Sequence, residues 1–381
     1  MGHSLRVDSC SHGLVDSARG LDRHAAEVPI EDTLPPSFPG LPHLQGLAAV
    51  PHGGAMQLIA DGLDPSVLDD FSATTLPVPS PAAVRAALAA EPLTAYPDPS
   101  CTMLRQAIGA LHGLPADHIL CANGSVALIH AAARCCLAPE HTALIVGPTF
   151  GEYRLAVALT GAQAVEVIAE DVEAVLAAVA AHRPRLLFLC NPNNPTGLHW
   201  SADDIDRIAR EVFVILDEAY AGFLRPTPAP GWGPNRLVLR SLTKDRGLAG
   251  LRIGYAVAAP EVLETIAVVL TPWGVNHLAQ RSALAVLGCA ALFEAAIDAM
   301  WAERERLIEA ITARGFTVQQ GAAPFFLVLV SDAAAARAAL LAHGVLVRDC
   351  TSLGLPQHIR ISPRTPDAGE RLLQAMDAAR L

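Results

Sequence analysis

RLLFLCNPNNPTG, residues 185–197, is a short apolar run that stops at a polar turn bracketed by two prolines and a glycine. The run Leu186-Leu187-Phe188-Leu189-Cys190 has no polar alternation. A strand of that kind is buried on both faces, as in a parallel sheet covered by helices. VFVILDEAY, residues 212–220, repeats the design, with an apolar run ending abruptly in Asp217-Glu218.

Working outward, further runs predict strands at His118–Cys121, Thr142–Val146, Ala164–Ile168, Leu237–Arg240 and Ile253–Ala258. Helical patterns fall between or before them at Pro81–Ala90, Cys101–His112, Ser125–Cys136, Gly151–Leu159, Val172–Ala181 and Asp203–Arg210. This alternation predicts an α/β fold with a mostly parallel sheet flanked by helices. After Thr271-Pro272-Trp273 the pattern changes. A long helical region from Asn276 to Arg314 precedes strands at Phe325–Val330, Val345–Val347 and His358–Ile361, with helices at Ala333–His343 and the C-terminus. These predict a smaller α+β C-terminal domain. Residues 1–50, rich in Pro, Gly and His, read as an irregular N-terminal arm with one short helix. The expected division is therefore 1–50 arm, 51–75 N-terminal part of the small domain, 76–270 large ligand-binding domain and 271–381 small domain.

Composition narrows the function classes. The chain has 381 residues, 52% hydrophobic and 17% charged, with formal net charge -11. That supports a large core and argues against nucleic acid as the main partner. No run of 18 or more unbroken apolar residues suggests a membrane span, and the first residues lack a signal-peptide pattern. Eight Cys without C-x-x-C spacing read as reduced thiols of a cytoplasmic protein. The 14 His show no metal-ligand spacing, so no metal site is expected.

Ligands of an open parallel sheet bind beyond the carboxyl ends of its strands. Four predicted strands end there in polar groups: Asn123-Gly124-Ser125, Asn191–Gly197, Asp217 and Ser241–Lys244. Lys244 in a cleft has an amine that desolvation keeps partly neutral, able to condense with an aldehyde. Asp217 behind an apolar strand needs a cation, and a protonated pyridine nitrogen is one. Ser241, Thr243 and Arg252 offer donors to a phosphate, joined by the helix N-terminus at Gly124-Ser125. Taken singly, each has an ordinary alternative: a surface lysine, an N-cap carboxylate, a plain strand-to-helix turn. The ordered set is what points to one site.

That set resembles the fold-type I pyridoxal-phosphate aminotransferase superfamily. The resemblance covers roughly residues 51–381 and rests on NPNNPTG (191–197), LDEAY (216–220), SLTK (241–244) and GLRIGY (250–255). It implies a seven-stranded sheet in the large domain, pyridoxal 5′-phosphate as cofactor, and Lys244 as the residue of the internal aldimine and the later proton shuttle. It further implies Asp217 at the pyridine nitrogen, Asn194 and Tyr220 at the ring hydroxyl, and Phe150 against the ring face. Ser241, Thr243, Arg252 and Gly124-Ser125 would hold the phosphate. Tyr96 would reach the phosphate of a neighbouring subunit in a homodimer with shared sites, and Arg360 would grip the substrate carboxylate.

Within the superfamily the chain resembles histidinol-phosphate aminotransferase and threonine-phosphate decarboxylase, the latter through PHGGAM (51–56), DDFSA (69–73), YPDPSCTMLR (96–105), TPWGVNHLAQ (271–280) and RTP (364–366). This implies His52 and Arg364 near a substrate phosphate. One departure is plain: Thr74-Thr75-Leu76-Pro77 stands where the family carries Asn side chains before its proline. The expected activity is transamination of an amino acid or amine, phosphorylated or not. The rival within the family is decarboxylation. The rival outside it is a non-catalytic cofactor-binding regulatory module, disfavoured because no basic DNA-reading segment is present. A dinucleotide-binding domain is disfavoured because no G-x-G-x-x-G follows the first strand.

Overall fold

The computed structural model describes residues 41–78, 81–90 and 94–380. Most of the predicted N-terminal arm lies outside the described residues. In chain order the strands are β1 (Asp69–Asp70), β2 (Ile119–Ala122), β3 (Thr142–Gly147), β4 (Gln163–Ile168), β5 (Leu186–Cys190), β6 (Phe213–Asp217), β7 (Arg236–Ser241), β8 (Gly254–Val257), β9 (Val318–Gln319), β10 (Phe326–Leu329), β11 (Val345–Leu346), β12 (Arg348–Asp349) and β13 (His358–Ile361).

Seven of them form one sheet in the order β2-β8-β7-β6-β5-β3-β4. β7, β6, β5, β3 and β4 pair in parallel, while β8 runs antiparallel to both its neighbours, β7 and β2. Only β8 is therefore reversed. Side chains alternate across the sheet. Leu187, Leu189, Val214, Leu216 and Val238 enter one buried cluster, and Leu186, Phe188, Ile215, Leu237 and Leu239 enter another on the opposite face. Both faces are dry, which is why these strands read as unbroken apolar runs.

The chain passes from β3 out to β4, then returns past β3 to β5. That reversal opens a crevice at the strand ends between Phe150 after β3 and Asn191–Gly197 after β5. Because β8 is reversed, its first residue, Gly254, pairs with Ser241 at the end of β7 and with Ala122 at the end of β2. Arg252, two residues before β8, is thereby delivered to the same edge as Ser241 and Gly124.

β12-β13-β10-β9 form a four-stranded antiparallel sheet, and β1 pairs in parallel with β11. The second sheet packs its own core, including Phe326, Val328, Ile359, Ile361 and Leu372.

The long helical region expected from Asn276 to Arg314 is divided. It is two helices, His277–Leu287 and Ala290–Ala313, bent by 82° at the Gly288-Cys289 break. Gly288 lies where the helical periodicity continues on both sides, and the bend lets both helices bury apolar faces, Ala283 and Val286 on one, Phe293 and Ile297 on the other. A helix at Pro260–Val269, not expected from the sequence, opens on proline at its first turn. Among the described residues no single helix is long and apolar enough to cross a membrane.

Candidate active site

Lys244 follows β7, and Asp217 ends β6, the adjacent strand. Lys244 is also the only lysine in the 381 residues. Its Nζ lies 5.9 Å from the centroid of the Tyr220 ring. Burial, then the nearby charges of Arg360 and Arg252, push its pKa down to about 8, with Asp217 pulling the other way. A useful fraction of the amine is therefore neutral near neutral pH, as a nucleophilic lysine requires.

The same shift has a stability consequence. Between about pH 8 and the ordinary lysine value of 10.5 the unfolded chain binds more protons at this position than the folded one. Stability then rises with pH across that window, and the penalty is fully present below it. Without cofactor, Lys244→Met should melt above the wild type at pH 7, with the gap closing as pH rises from about 8 toward 10.5. Calorimetric melts across that range test this.

Asp217 is 3% exposed. Burial raises its pKa, while hydrogen bonds and the Lys244 charge counter it. Oδ2 accepts from the Tyr153 hydroxyl at 2.8 Å and Oδ1 from the Ala219 N–H at 3.0 Å. A carboxylate this dry is costly without a cation, so the donor set fits a protonated ring nitrogen. Tyr153, fully buried and stacked on Phe188, was not expected as a site residue. Its signal was available: it stands three residues after Phe150, one helical turn on, facing the end of β6.

At the edge formed by Gly124, Ser241 and Arg252, backbone N–H groups and side-chain donors come together. Gly124 has φ +77 and begins the helix Gly124–Cys136, whose first N–H groups receive no side-chain cap from Asn123. A Cβ on Gly124 would lie 2.8 Å from Arg252 Nη2. Ser241 Oγ and Thr243 Oγ1 are 2.6 Å apart. Free helix N–H groups, two hydroxyls and a guanidinium at a residue with no side chain suit a phosphate dianion. The residues present thus fit pyridoxal 5′-phosphate at its aldehyde, ring-nitrogen and phosphate ends.

The Asn191–Gly197 loop is held by its own amides. Asn191 exchanges hydrogen bonds with the Trp200 backbone, and Asn193 Nδ2 donates to Pro148 O and Thr196 Oγ1. This braces Asn194, whose Oδ1 accepts from Arg360 Nη1. Arg360, on β13, is 5% exposed, stacks 4.8 Å from Phe325, and donates through Nη2 to Ser72 O at 2.8 Å. Its Nε is buried without a partner. Tyr220 stands edge-on to Phe325 at 5.1 Å, and burial raises its phenol pKa.

The Thr74–Leu76 segment lies in this cluster. Thr74 Oγ1 and Ser362 Oγ, both buried, are 2.6 Å apart, and Leu76 N–H donates to Lys244 O at 3.0 Å. Arg364 Nη1 donates to Thr75 O at 3.3 Å. His52 packs 5.8 Å from Phe150. Tyr96 stands apart, 83% exposed, with its ring 5.1 Å from that of Trp273. A cavity of about 460 Å³ borders the Asn191–Gly197 loop but is lined by none of Lys244, Asp217 or Arg360. Among the described residues no group of three or more His, Cys, Asp and Glu side chains is arranged to hold a metal ion.

A model of the family described as aminotransferase class I and II matches residues 63–376. The chain is 35% identical over 338 residues to histidinol-phosphate aminotransferase 2 of Ralstonia nicotianae, covering 84% of this chain and 90% of that protein. It is 37% identical over 321 residues to aromatic amino acid aminotransferase of Nocardia farcinica, covering 79% and 88%. The crystal structure of histidinol-phosphate aminotransferase from Sinorhizobium meliloti, in complex with pyridoxal 5′-phosphate, shares the fold with a TM-score of 0.81 at 23% identity, over 90% of this chain and 98% of that one. With a match that runs through both sheets and every strand-end residue described above, the chain belongs to the class I and II aminotransferases, enzymes that depend on pyridoxal 5′-phosphate.

Proposed function

We propose that the enzyme moves the amino group of an amino acid or related amine, free or phosphorylated, to a 2-oxo acid, working through Lys244. The observation that carries this reading is the pairing of a partly neutral amine, Lys244, with a buried carboxylate, Asp217, at the ends of adjacent strands. Bound between them, pyridoxal 5′-phosphate supplies an aldehyde for the amine and a ring that accepts electron density from the substrate Cα. Asp217 holds the positive charge on the ring nitrogen. Tyr220 and Asn194 orient the ring hydroxyl, and Phe150 covers a ring face. Gly124, Ser125, Ser241, Thr243 and Arg252 bind the phosphate. Lys244 Nζ takes the proton from the Cα of the amino donor and, in the second half of the cycle, delivers one to the Cα of the 2-oxo acid being aminated. Arg360 binds the substrate carboxylate, with His52 and Arg364 toward the substrate's far end.

The domain division follows from these roles: 76–270 carries the cofactor, while 51–75 and 271–381 form the small domain that brings Arg360. Tyr96 and Trp273, 83% and 51% exposed, form an aromatic pair suited to burial against a second copy. In that homodimer Tyr96 reaches the neighbouring phosphate site. The described cysteines are all unpaired, which suits the reducing cytoplasm.

The phosphate end makes its own prediction. Gly124→Ala adds a Cβ at φ +77 against Arg252 and should weaken cofactor affinity by roughly tenfold, from left-handed strain and the displaced guanidinium. Absorbance titration of the apo-protein with pyridoxal 5′-phosphate reads it.

A mass-spectrometric screen tests the reaction. Amino acids, L-histidinol phosphate and O-phospho-L-threonine are supplied with and without 2-oxoglutarate. The reading expects glutamate formation that depends on 2-oxoglutarate. The second reading, decarboxylation, rests on PHGGAM (51–56) and the other segments that resemble threonine-phosphate decarboxylase. The Asn side chains missing at 74–76 bear on the substrate under either reading. Carbon dioxide release with no need for a 2-oxo acid would replace the first reading by the second.

A further inference from the structure

Glu152 is the first residue of the helix Glu152–Ala158, two residues beyond Phe150, and is 6% exposed. Both its oxygens are occupied by imidazoles. Oε1 lies 2.9 Å from His52 Nε2, and Oε2 lies 2.7 Å from His130 Nε2. His130 belongs to the helix Gly124–Cys136, whose N-terminus forms the phosphate site. His52 comes from a segment far away in sequence. A carboxylate only accepts, so each imidazole must present its Nε2–H to Glu152. One buried anion thereby fixes two ring orientations and ties three pieces of chain together.

The segment around His52 is a strap. At one end Val50 Cγ1 lies 2.9 Å from where a Gly151 Cβ would sit, so the strap packs directly on the turn between Phe150 and Glu152. In the middle, Pro51 O accepts from Arg348 Nη2 at 2.7 Å. At the other end, Gly54 N–H donates to Ser72 Oγ at 2.8 Å and Ala55 N–H donates to Asp70 Oδ2 at 2.9 Å. A Cβ on Gly53 would lie 2.7 Å from Ser72 O, the same carbonyl that receives Arg360 Nη2. The strap therefore spans from the Phe150 side of the crevice to the Arg360 side. Among the described residues, its polar side-chain attachment on the Phe150 side is His52 to Glu152; the His52 ring also packs on Phe150 at 5.8 Å.

We propose that Glu152 is a positioning residue for substrate. By holding His52 it docks the strap 50–55 across the crevice and sets the affinity for the amino donor without touching it. This rests on the reading that substrate lies between Phe150 and Arg360. Loss of Glu152 frees His52 and loosens the strap, while the Lys244, Asp217 and phosphate contacts are left in place. The effect falls on KM rather than kcat.

The test combines kinetics with amide hydrogen exchange. Holoenzymes carrying Glu152→Ala, His52→Ala and both substitutions are assayed with L-histidinol phosphate and with L-phenylalanine, 2-oxoglutarate as acceptor. Each single variant should raise the donor KM by roughly tenfold, the scale of one lost charge-assisted hydrogen bond, with the cofactor's visible band and affinity unchanged. The double variant should be no worse than the worse single one, because the His52–Glu152 contact is already lost in each, while Glu152→Ala alone also frees His130. In the apo-proteins, Glu152→Ala should speed exchange of the Gly54 and Ala55 amides. Glu152→Gln, which keeps one acceptor oxygen and guards against a misfolded alanine variant, should lie between wild type and alanine in both measurements. Multiplying KM effects, or unchanged exchange at Gly54 and Ala55 in Glu152→Ala and Glu152→Gln alike, would overturn the inference. A normal KM in His52→Ala would overturn it too, by removing His52 from the substrate side. Failure of the wild type to turn over any amine would instead overturn the functional reading, and exchange would still report whether Glu152 docks the strap.

Discussion

Lys244→Ala is expected to fold, to retain noncovalent affinity for pyridoxal 5′-phosphate, and to lose turnover by roughly 10⁴-fold or more, the upper end of what one positioned acid–base group contributes. The expectation follows from how little else the side chain does. Its amine is desolvated and depressed in pKa, so it contributes a penalty rather than stability to the folded chain below about pH 8. The neighbouring Leu76 N–H bonds to the Lys244 backbone carbonyl, and that bond survives the substitution. Removal of the side chain deletes the proposed nucleophile and proton carrier at once, and the chain has no other lysine to replace it. Steady-state kinetics on the purified variant reads the loss. Turnover within about tenfold of wild type would remove Lys244 from the chemistry.

Asp217→Asn has the second-largest effect, a fall in kcat of roughly 10²–10³-fold, the range seen when one preorganised electrostatic group is removed. Asparagine is nearly isosteric. Its Oδ1 still accepts from the Ala219 N–H, and its amide can donate to the Tyr153 hydroxyl oxygen in place of the bond now made. What disappears is the negative charge proposed to keep the ring nitrogen protonated. The apo-protein should move the other way. With burial the main cause of the raised Asp217 pKa, a neutral amide relieves desolvation, and the variant without cofactor should melt at or above wild type. Lower activity together with equal or greater apo stability is the signature of a residue placed for function. Parallel losses in both would mark Asp217 as a structural anchor.

The large sheet was legible because its strands are covered on both faces. Leu186–Cys190 and Phe213–Asp217 carry no polar alternation, and the polar residues that end them could only be ligands or caps. The direction of β8 was not legible, since Ile253–Ala258 is as apolar read either way, yet its reversal is what brings Arg252 to Gly124. β1, β9, β11 and β12 have two residues each, too few to set a period-2 pattern, and their pairing comes from tertiary contact. The break at Gly288-Cys289 was hidden because the flanking segments are both helix-forming and a single glycine is tolerated within a helix.

At the site, the residues proposed to touch cofactor stand in short motifs that are legible in the sequence. Those that act through a neighbour do not stand out. Tyr153 and Glu152 lie inside PTFGEY, where a buried Tyr and a helix-starting Glu have ordinary readings. Their partners, Asp217, His52 and His130, are 64, 100 and 22 residues away, a separation no local pattern encodes. The composition itself carries one strong signal: a single lysine in the whole chain, three residues beyond a buried strand. The Thr74 departure also reads differently in three dimensions. Its hydroxyl pairs with Ser362 beside Tyr220, so the segment still packs on the site while offering the substrate fewer donors.

The most direct test of the central claim is to reconstitute the protein with pyridoxal 5′-phosphate, reduce it with borohydride, digest it and locate the attached pyridoxyl group by mass spectrometry. With one lysine in the chain, the result has little room for ambiguity. The account predicts attachment at Lys244 in the Ser241-Leu242-Thr243-Lys244 peptide, together with a visible absorption band before reduction, and loss of both in Lys244→Ala. Reconstituted protein that shows no visible band and carries the group nowhere, or only on its N-terminal amine, would contradict it.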